Sequence, residues 1–207
     1  MVSDKEFVKK FEKKVKDTIK KFDLISSKDK ILVAVSGGKD STAVLYLLKK
    51  LGYNVEAITI DAVIGKYTKQ NLANIVKFCK EQDVKLTVIS FRDKFGSSLC
   101  HIQALLKQKG INLRSCAVCG VLRRYLLNKF VKDTKATKLV TGHNASDEAQ
   151  VYLMNIFKNK QEMNARLGPF PGLIRSKLFV PRIKPLYLVT EDEVEQYSKI
   201  MDFPVKY

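Results

Sequence analysis

Residues 30–36 read KILVAVS, a short β-branched apolar run that stops at Gly37 and Gly38, and from Asp40 onward Ala43, Leu47, Leu48 and Leu51 recur at helical spacing up to Gly52. An apolar run too short for a helix, a paired-glycine turn and an amphipathic segment make a strand, a turn and a helix in immediate succession. The same grammar continues down the chain. Residues 55–61 (VEAITID) predict a second strand, 68–82 a helix, 85–91 (KLTVISF) a third strand, 119–132 a helix and 138–142 (KLVTG) a fourth strand. Asn144 is placed to cap a helix running to Phe157, and Thr190 with Glu193 forms a capping box for a helix over 191–201. Strands alternating with helices point to an α/β chain: a parallel sheet covered on both faces, a three-layer, Rossmann-like sandwich whose ligands sit at the carboxyl ends of the strands.

Charge narrows the class of partner. Lys and Arg number 38 against 21 Asp and Glu, a formal net charge of +17 on 207 residues, which suits a polyanion and exceeds what a small acidic substrate needs. Phe7, Phe11, Val15, Ile19 and Phe22 fall at steps of three and four among Lys9, Lys10, Lys13, Lys16 and Lys20. Residues 1–24 are therefore expected as a basic helix packed on a domain spanning 25–207, its lysines either a solvated face or a phosphate-contacting one. Residues 158–184 carry Gly168, Pro169, Pro171, Gly172 and Pro181 with seven basic residues, Lys158, Lys160, Arg166, Arg175, Lys177, Arg182 and Lys184, and are expected as a long functional loop. No apolar run approaches the ~20 residues of a bilayer span, and the opening MVSDKEFVKKFEKK has no apolar core of a secretory signal, so a cytoplasmic protein without a membrane partner is expected.

The stretch Ser36-Gly37-Gly38-Lys39-Asp40-Ser41 carries the most chemistry. Two glycines between strand and helix let the backbone approach a ligand, so that successive N–H groups and the helix dipole face an anion. Ser36 and Ser41 add hydroxyls and Lys39 adds charge. A Walker A loop would require Gly at 33 and Ser or Thr at 40, where this chain has Val33 and Asp40. A carboxylate inside a phosphate cradle implies a magnesium ion beside the phosphates, since bare phosphate would repel it. Farther on, Cys116-Ala-Val-Cys119-Gly120 opens a helix ahead of Arg123 and Arg124. Sulfurs at a helix start beside arginines suit a soft metal or sulfur chemistry, and half a zinc site, a redox pair or a coincidence fit the same spacing.

SGGKDS after a first strand resembles the PP-loop of the N-type ATP pyrophosphatases, which cleave ATP between the α- and β-phosphates and transfer AMP to a substrate oxygen. With CxxCGxxRR at 116–124 and GHNASDEA at 142–149 following in order, the chain resembles the PP-loop tRNA 2-thiouridine synthetases, tRNA thiolases of the wobble and T-loop uridine type, from about Phe7 to Tyr207. The resemblance implies an adenine nucleotide alpha-hydrolase-like fold. It implies an ATP cradle of Ala34, Ser36, Gly37, Gly38, Lys39, Asp40 and Ser41 with Mg2+, adenine read by main chain at Ile60–Asp61, and Gly142 beside the ribose and α-phosphate. It further implies Cys116 and Cys119 as two of three ligands of an iron–sulfur cluster, a 4Fe-4S cubane with one open iron. Asp147 would be the acid that activates or orients the substrate, and Arg123 the cation near the reacting base.

The activity so implied is ATP-dependent tRNA thiolation: adenylylation of the uridine O2, then sulfur transfer from the cysteine-ligated site. Its partners are tRNA and a sulfur donor, either sulfide or a sulfur-carrier protein, and homodimers are common in the family. Two departures stand out. The family's flanking cysteine-rich zinc modules are missing, and the third cluster cysteine is expected a few residues beyond a segment like 201–207, so a trimmed or partly given chain is expected. Cys100 beside His101 is the local substitute, and these two with Cys116 and Cys119 would also make a tetrahedral zinc set. Cys79 and Cys100, flanked by apolar residues at helical spacing, are expected as buried, inert thiols. Two other readings compete: a lysidine-type tRNA ligase, which adenylylates a base but uses an amine, and a non-catalytic nucleotide- or RNA-binding module with structural zinc.

Overall fold

The computed structural model describes residues 3–171 and 179–205. Five strands, β1 (Ile31–Ala34), β2 (Val55–Asp61), β3 (Leu86–Ser90), β4 (Lys138–Val140) and β5 (Arg182–Ile183), form one sheet in the order β3-β2-β1-β4-β5, every pairing parallel. The helices are α1 (Asp4–Lys21), α2 (Lys39–Lys50), α3 (Gly65–Glu81), α4 (Phe91–Phe95), α5 (Leu99–Gln108), α6 (Ser115–Asp133), α7 (Ala145–Phe157) and α8 (Glu191–Ile200). Side chains alternate across a strand, and the sheet divides the core accordingly. Ile31, Val33, Val140 and Ile183 point into one cluster with Phe11 and Val15 of α1, Leu45 and Leu48 of α2, Phe78 of α3 and Tyr197 of α8. Leu32, Ile58 and Leu139 point into the other with Phe91, Leu99 and Leu126 of α4, α5 and α6. Burying each such side chain contributes about 1.5–3 kcal/mol, enough to fix which way every strand faces.

α1 is held to the core by more than its apolar stripe. The Phe11 ring stacks on Tyr197 at 4.2 Å, and the Tyr197 hydroxyl donates to Glu12 Oε1 at 2.9 Å. Burial, then the Glu12 carboxylate, push the Tyr197 phenol well above its ordinary range. Lys9, Lys10, Lys13, Lys16 and Lys20 stay exposed on the opposite face.

The stretch 158–184, expected as one long loop, contains structure of its own. A 3-10 turn covers Gln161–Arg166, and Arg182–Ile183 is the fifth strand, fastened to β4 by Leu139 N–H to Pro181 O (2.9 Å) and Thr141 N–H to Ile183 O (3.1 Å). Gly172, Leu173, Arg175 and Lys177 of that stretch, and the last two residues of 201–207, lie outside the described residues. Strand order reverses between β1 and β4, so the turns leaving their carboxyl ends diverge and open a crevice. Among the described residues no helix is long and apolar enough to cross a membrane.

Candidate nucleotide and sulfur site

The turn after β1 is shaped for an anion. α2 has Gly38 as its N-cap and so no side chain to cap it, which leaves the N–H groups of its first turn directed at the crevice. Gly37 has φ +82°, and a Cβ there would lie 2.2 Å from the Asn71 carbonyl oxygen, so α3 presses on the loop and only glycine fits. Ser41 Oγ accepts the Ser36 N–H at 3.1 Å and donates to the Gly38 carbonyl at 3.1 Å, pinning the turn. From the other strand, a Cβ on Gly142 would lie 2.8 Å from both Asp40 C and Ser41 N. The β4 turn therefore rests directly on the first turn of α2.

Asn144, 2% exposed, joins the two. Its Nδ2 donates to Asp40 Oδ1 at 2.8 Å, its Oδ1 accepts the Asp147 N–H at 3.0 Å, and its own N–H donates to Asp147 Oδ2 at 3.0 Å. The first-turn acid of α7 is thus locked in a capping box whose cap also grips the phosphate-loop acid. Lys39 Nζ lies 3.5 Å from Asp40 Oδ2 and donates to Glu191 Oε1 at 2.8 Å, and the Glu191 N–H donates to Ser146 Oγ at 3.1 Å. Burial works to lower the Lys39 ammonium, and the Glu191 and Asp40 carboxylates override it, holding its pKa above the usual lysine range. The N-termini of α2, α7 and α8 meet in this ring, with α7 and α8 closed by capping boxes and α2 open. In the sequence Asn144 shows only as a helix cap and Glu191 only as a helix start, with no sign of the contacts to Asp40 and Lys39. Their signal was position: each begins a helix at the carboxyl edge of the sheet.

A cavity of about 110 Å3 opens between this loop and the end of β2, lined by Ser36, Thr59, Ile60, Asp61, Asn71 and Arg123 among others. The Arg123 Nε is buried there without a hydrogen-bond partner, an orphan cationic donor in a polar cavity. Beyond Asp61 the chain is strained: Val63 sits at φ +55°, its N–H donating to Asp61 Oδ1 at 2.8 Å.

Arg123 arrives from α6, which begins four residues earlier than expected and so takes both Cys116 and Cys119 into its first five residues. Cys116, Cys119 and Arg123 stand at i, i+3 and i+7, one face of the helix. Cys116 is exposed, and half-buried Cys119 packs against the second core cluster. Cys79 is buried as expected, and burial pushes its thiol up to about 11. Cys100 is not: α5 turns Leu99, Ile102 and Leu106 inward and leaves Cys100 outside. Among the described residues no three His, Cys, Asp or Glu side chains are grouped to hold a metal, so Cys100 and His101 do not complete a set with Cys116 and Cys119. His143 Nδ1 lies 3.0 Å from Thr141 Oγ1 in the β4 turn.

Residues 7–204 match the family model described as the PP-loop domain. The chain belongs to the PP-loop domain family. It is 36% identical over 195 residues to the tRNA-5-methyluridine(54) 2-sulfurtransferase of Pyrococcus horikoshii, covering 94% of this chain and 60% of that protein. It is 32% identical over 183 residues to the tRNA 2-thiolation protein NcsA of Haloferax volcanii, covering 84% of this chain and 56% of that one. Among solved structures it is similar to the U34-tRNA thiolase NcsA from Methanococcus maripaludis with its [4Fe-4S] cluster, at TM-score 0.83 and 30% identity over 98% of this chain and 66% of that chain. NMN synthetase from Francisella tularensis shares the fold at TM-score 0.61 and 16% identity. The architecture is that of the adenine nucleotide alpha-hydrolase-like PP-loop enzymes, and the chain spans about three fifths of the length of the first curated relatives it matches.

Proposed function

We propose that this chain is the catalytic domain of a cytoplasmic, ATP-dependent tRNA sulfurtransferase that makes 2-thiouridine. The observation that carries the proposal is the alignment of Cys116, Cys119 and Arg123 on one face of α6, with Arg123 entering the cavity bounded by the phosphate-loop Ser36 and by Ile60 and Asp61. One rigid helix ties the sulfur residues to the nucleotide site.

The residues fit a magnesium nucleotide. The open N–H groups of α2 with Ser36, Gly37, Gly38, Lys39 and Ser41 would hold the phosphates, Asp40 would hold the magnesium that neutralises them, and the end of β2 with Ala34 and Gly142 would border the nucleoside. A carbonyl oxygen is a poor leaving group. The uridine O2 therefore attacks the α-phosphorus and expels pyrophosphate, with Asp147 orienting the base and the Arg123 guanidinium countering the developing charge. With one of Cys116 and Cys119 loaded as a persulfide by a persulfide donor, its outer sulfur attacks C2 and AMP leaves with the oxygen; the other cysteine's thiolate then attacks the inner sulfur, breaking the S–S bond, so that the 2-thiouridine is released and the two cysteines are left as a disulfide. An iron–sulfur cluster fits only in part: Cys116 and Cys119 would hold iron and the cluster would supply sulfide, but the third donor of a complete set is not among the described residues. For the RNA itself, none of the described arginines is in an ion pair, and Arg182, its guanidinium lowered by burial and then by Arg124, adds to an uncompensated positive surface. A sulfide source or sulfur-carrier protein and a second copy of the chain complete the proposed partners.

Calorimetry with Mg-ATP tests the first half. Asp40→Ala should weaken binding about tenfold or more, and unchanged binding would refute the phosphate loop. Cys116→Ser tests the second: tRNA thiolation should vanish with melting temperature and ATP affinity retained. A lowered melting temperature instead would indicate a structural zinc, and retained thiolation would refute the assignment.

A further inference from the structure

Lys39 does not line the cavity at the end of β2; its ammonium is turned the other way, toward α8, where Glu191 takes it at 2.8 Å. The side chain is 17% exposed, and a largely buried ammonium needs an anionic partner. It has two, and they differ in how firmly they are held. Asp40 is fixed from behind by Asn144 and is only 3.5 Å from Nζ, whereas the Glu191 side chain is 47% exposed and is anchored by its backbone alone, through Ser146. Glu191 can swing into water at little desolvation cost, and Asp40 cannot.

Resting on the nucleotide reading above, we propose that Glu191 is a specificity-determining residue of the phosphate site: a resident carboxylate that occupies Lys39 and is displaced only by the outer phosphates of a triphosphate or by pyrophosphate. A nucleoside monophosphate lodged at the β2 end lacks the groups that reach Lys39 and leaves the pair intact. When pyrophosphate departs, Glu191 recaptures the lysine and opposes rebinding.

Calorimetry at fixed Mg2+ with inorganic pyrophosphate, a non-hydrolysable ATP analogue and AMP tests this in the whole chain. Glu191→Gln should bind pyrophosphate and the analogue about fivefold more tightly while AMP affinity stays put, and the gain should disappear in a Lys39→Ala background. Glu191→Asp, one methylene short but still charged, should behave like the Gln variant. Neither change touches the Thr190–Glu193 capping box, so α8 keeps its start. Unchanged or weakened pyrophosphate binding in Glu191→Gln, or a gain that survives without Lys39, would overturn the proposal. A wild-type chain that binds none of the three probes would instead overturn the nucleotide reading beneath it.

Discussion

The phosphate half and the cysteine half of this site are built by opposite rules. Around β1 and β4 both Asp40 oxygens, the Asn144 amide and the Lys39 ammonium have partners inside the protein, and two glycines allow backbone to press on backbone. On α5 and α6 the sulfur-bearing turn is bare. Cys116 and Cys100 are exposed, the α6 N-cap Arg114 makes no side-chain cap bond, and Ile111, Leu113, Val121 and Tyr125 face outward. Backbone N–H groups cannot be moved one at a time, so binding charge with them demands a rigid, preformed frame. Thiols carry their reactivity on a side chain and need access to a donor more than they need a frame.

Three changes would break or sharpen that contrast. Gly142→Ala should have the largest effect, because its Cβ meets main chain of Asp40 and Ser41 rather than a side chain that can yield. A loss of about 3 kcal/mol in urea denaturation is expected, with nucleotide affinity falling alongside; a neutral Ala would mean that the β4 turn is not pressed on α2. Asn144→Asp is subtler. Asp caps helices as well as Asn, so α7 keeps its start, but a carboxylate now faces Asp40 where an amide donated. Stability should drop about 1–2 kcal/mol at neutral pH and recover relative to wild type as pH falls through the carboxylate range, since protonating either acid removes the repulsion. A pH-independent loss would show instead that the cap, not the link to Asp40, is what Asn144 supplies. The smallest change is a label. Alkylation followed by mass spectrometry should mark Cys100 and Cys116 early and Cys79 last, because burial holds the Cys79 thiol near 11. Early reaction of Cys79 would mean that the core beneath α3 opens readily.

Much of the phosphate half was legible because it is local: glycines, hydroxyls, lysine and acid lie within six consecutive residues between a strand and a helix. The capping boxes of α7 and α8 were legible for the same reason. What escaped is long-range. β5 is two residues long, too short for any periodicity, and exists because β4 offers it an edge. Asn144 reaches Asp40 across 104 positions of sequence and Glu191 reaches Lys39 across 152, and no spacing rule announces either. Cys100 was misplaced because apolar neighbours in sequence say nothing of which helix face the sheet will claim.

The shared face of α6 acts as a ruler. At about 1.5 Å of rise per residue, the seven steps from Cys116 to Arg123 set their Cα atoms about 10 Å apart along the axis, a spacing that the helix fixes. One residue added between Cys119 and Arg123 would swing the cysteines about 100° around that axis while leaving the nucleotide cavity untouched. Such a chain would keep every residue of the site and lose the phase between its two halves.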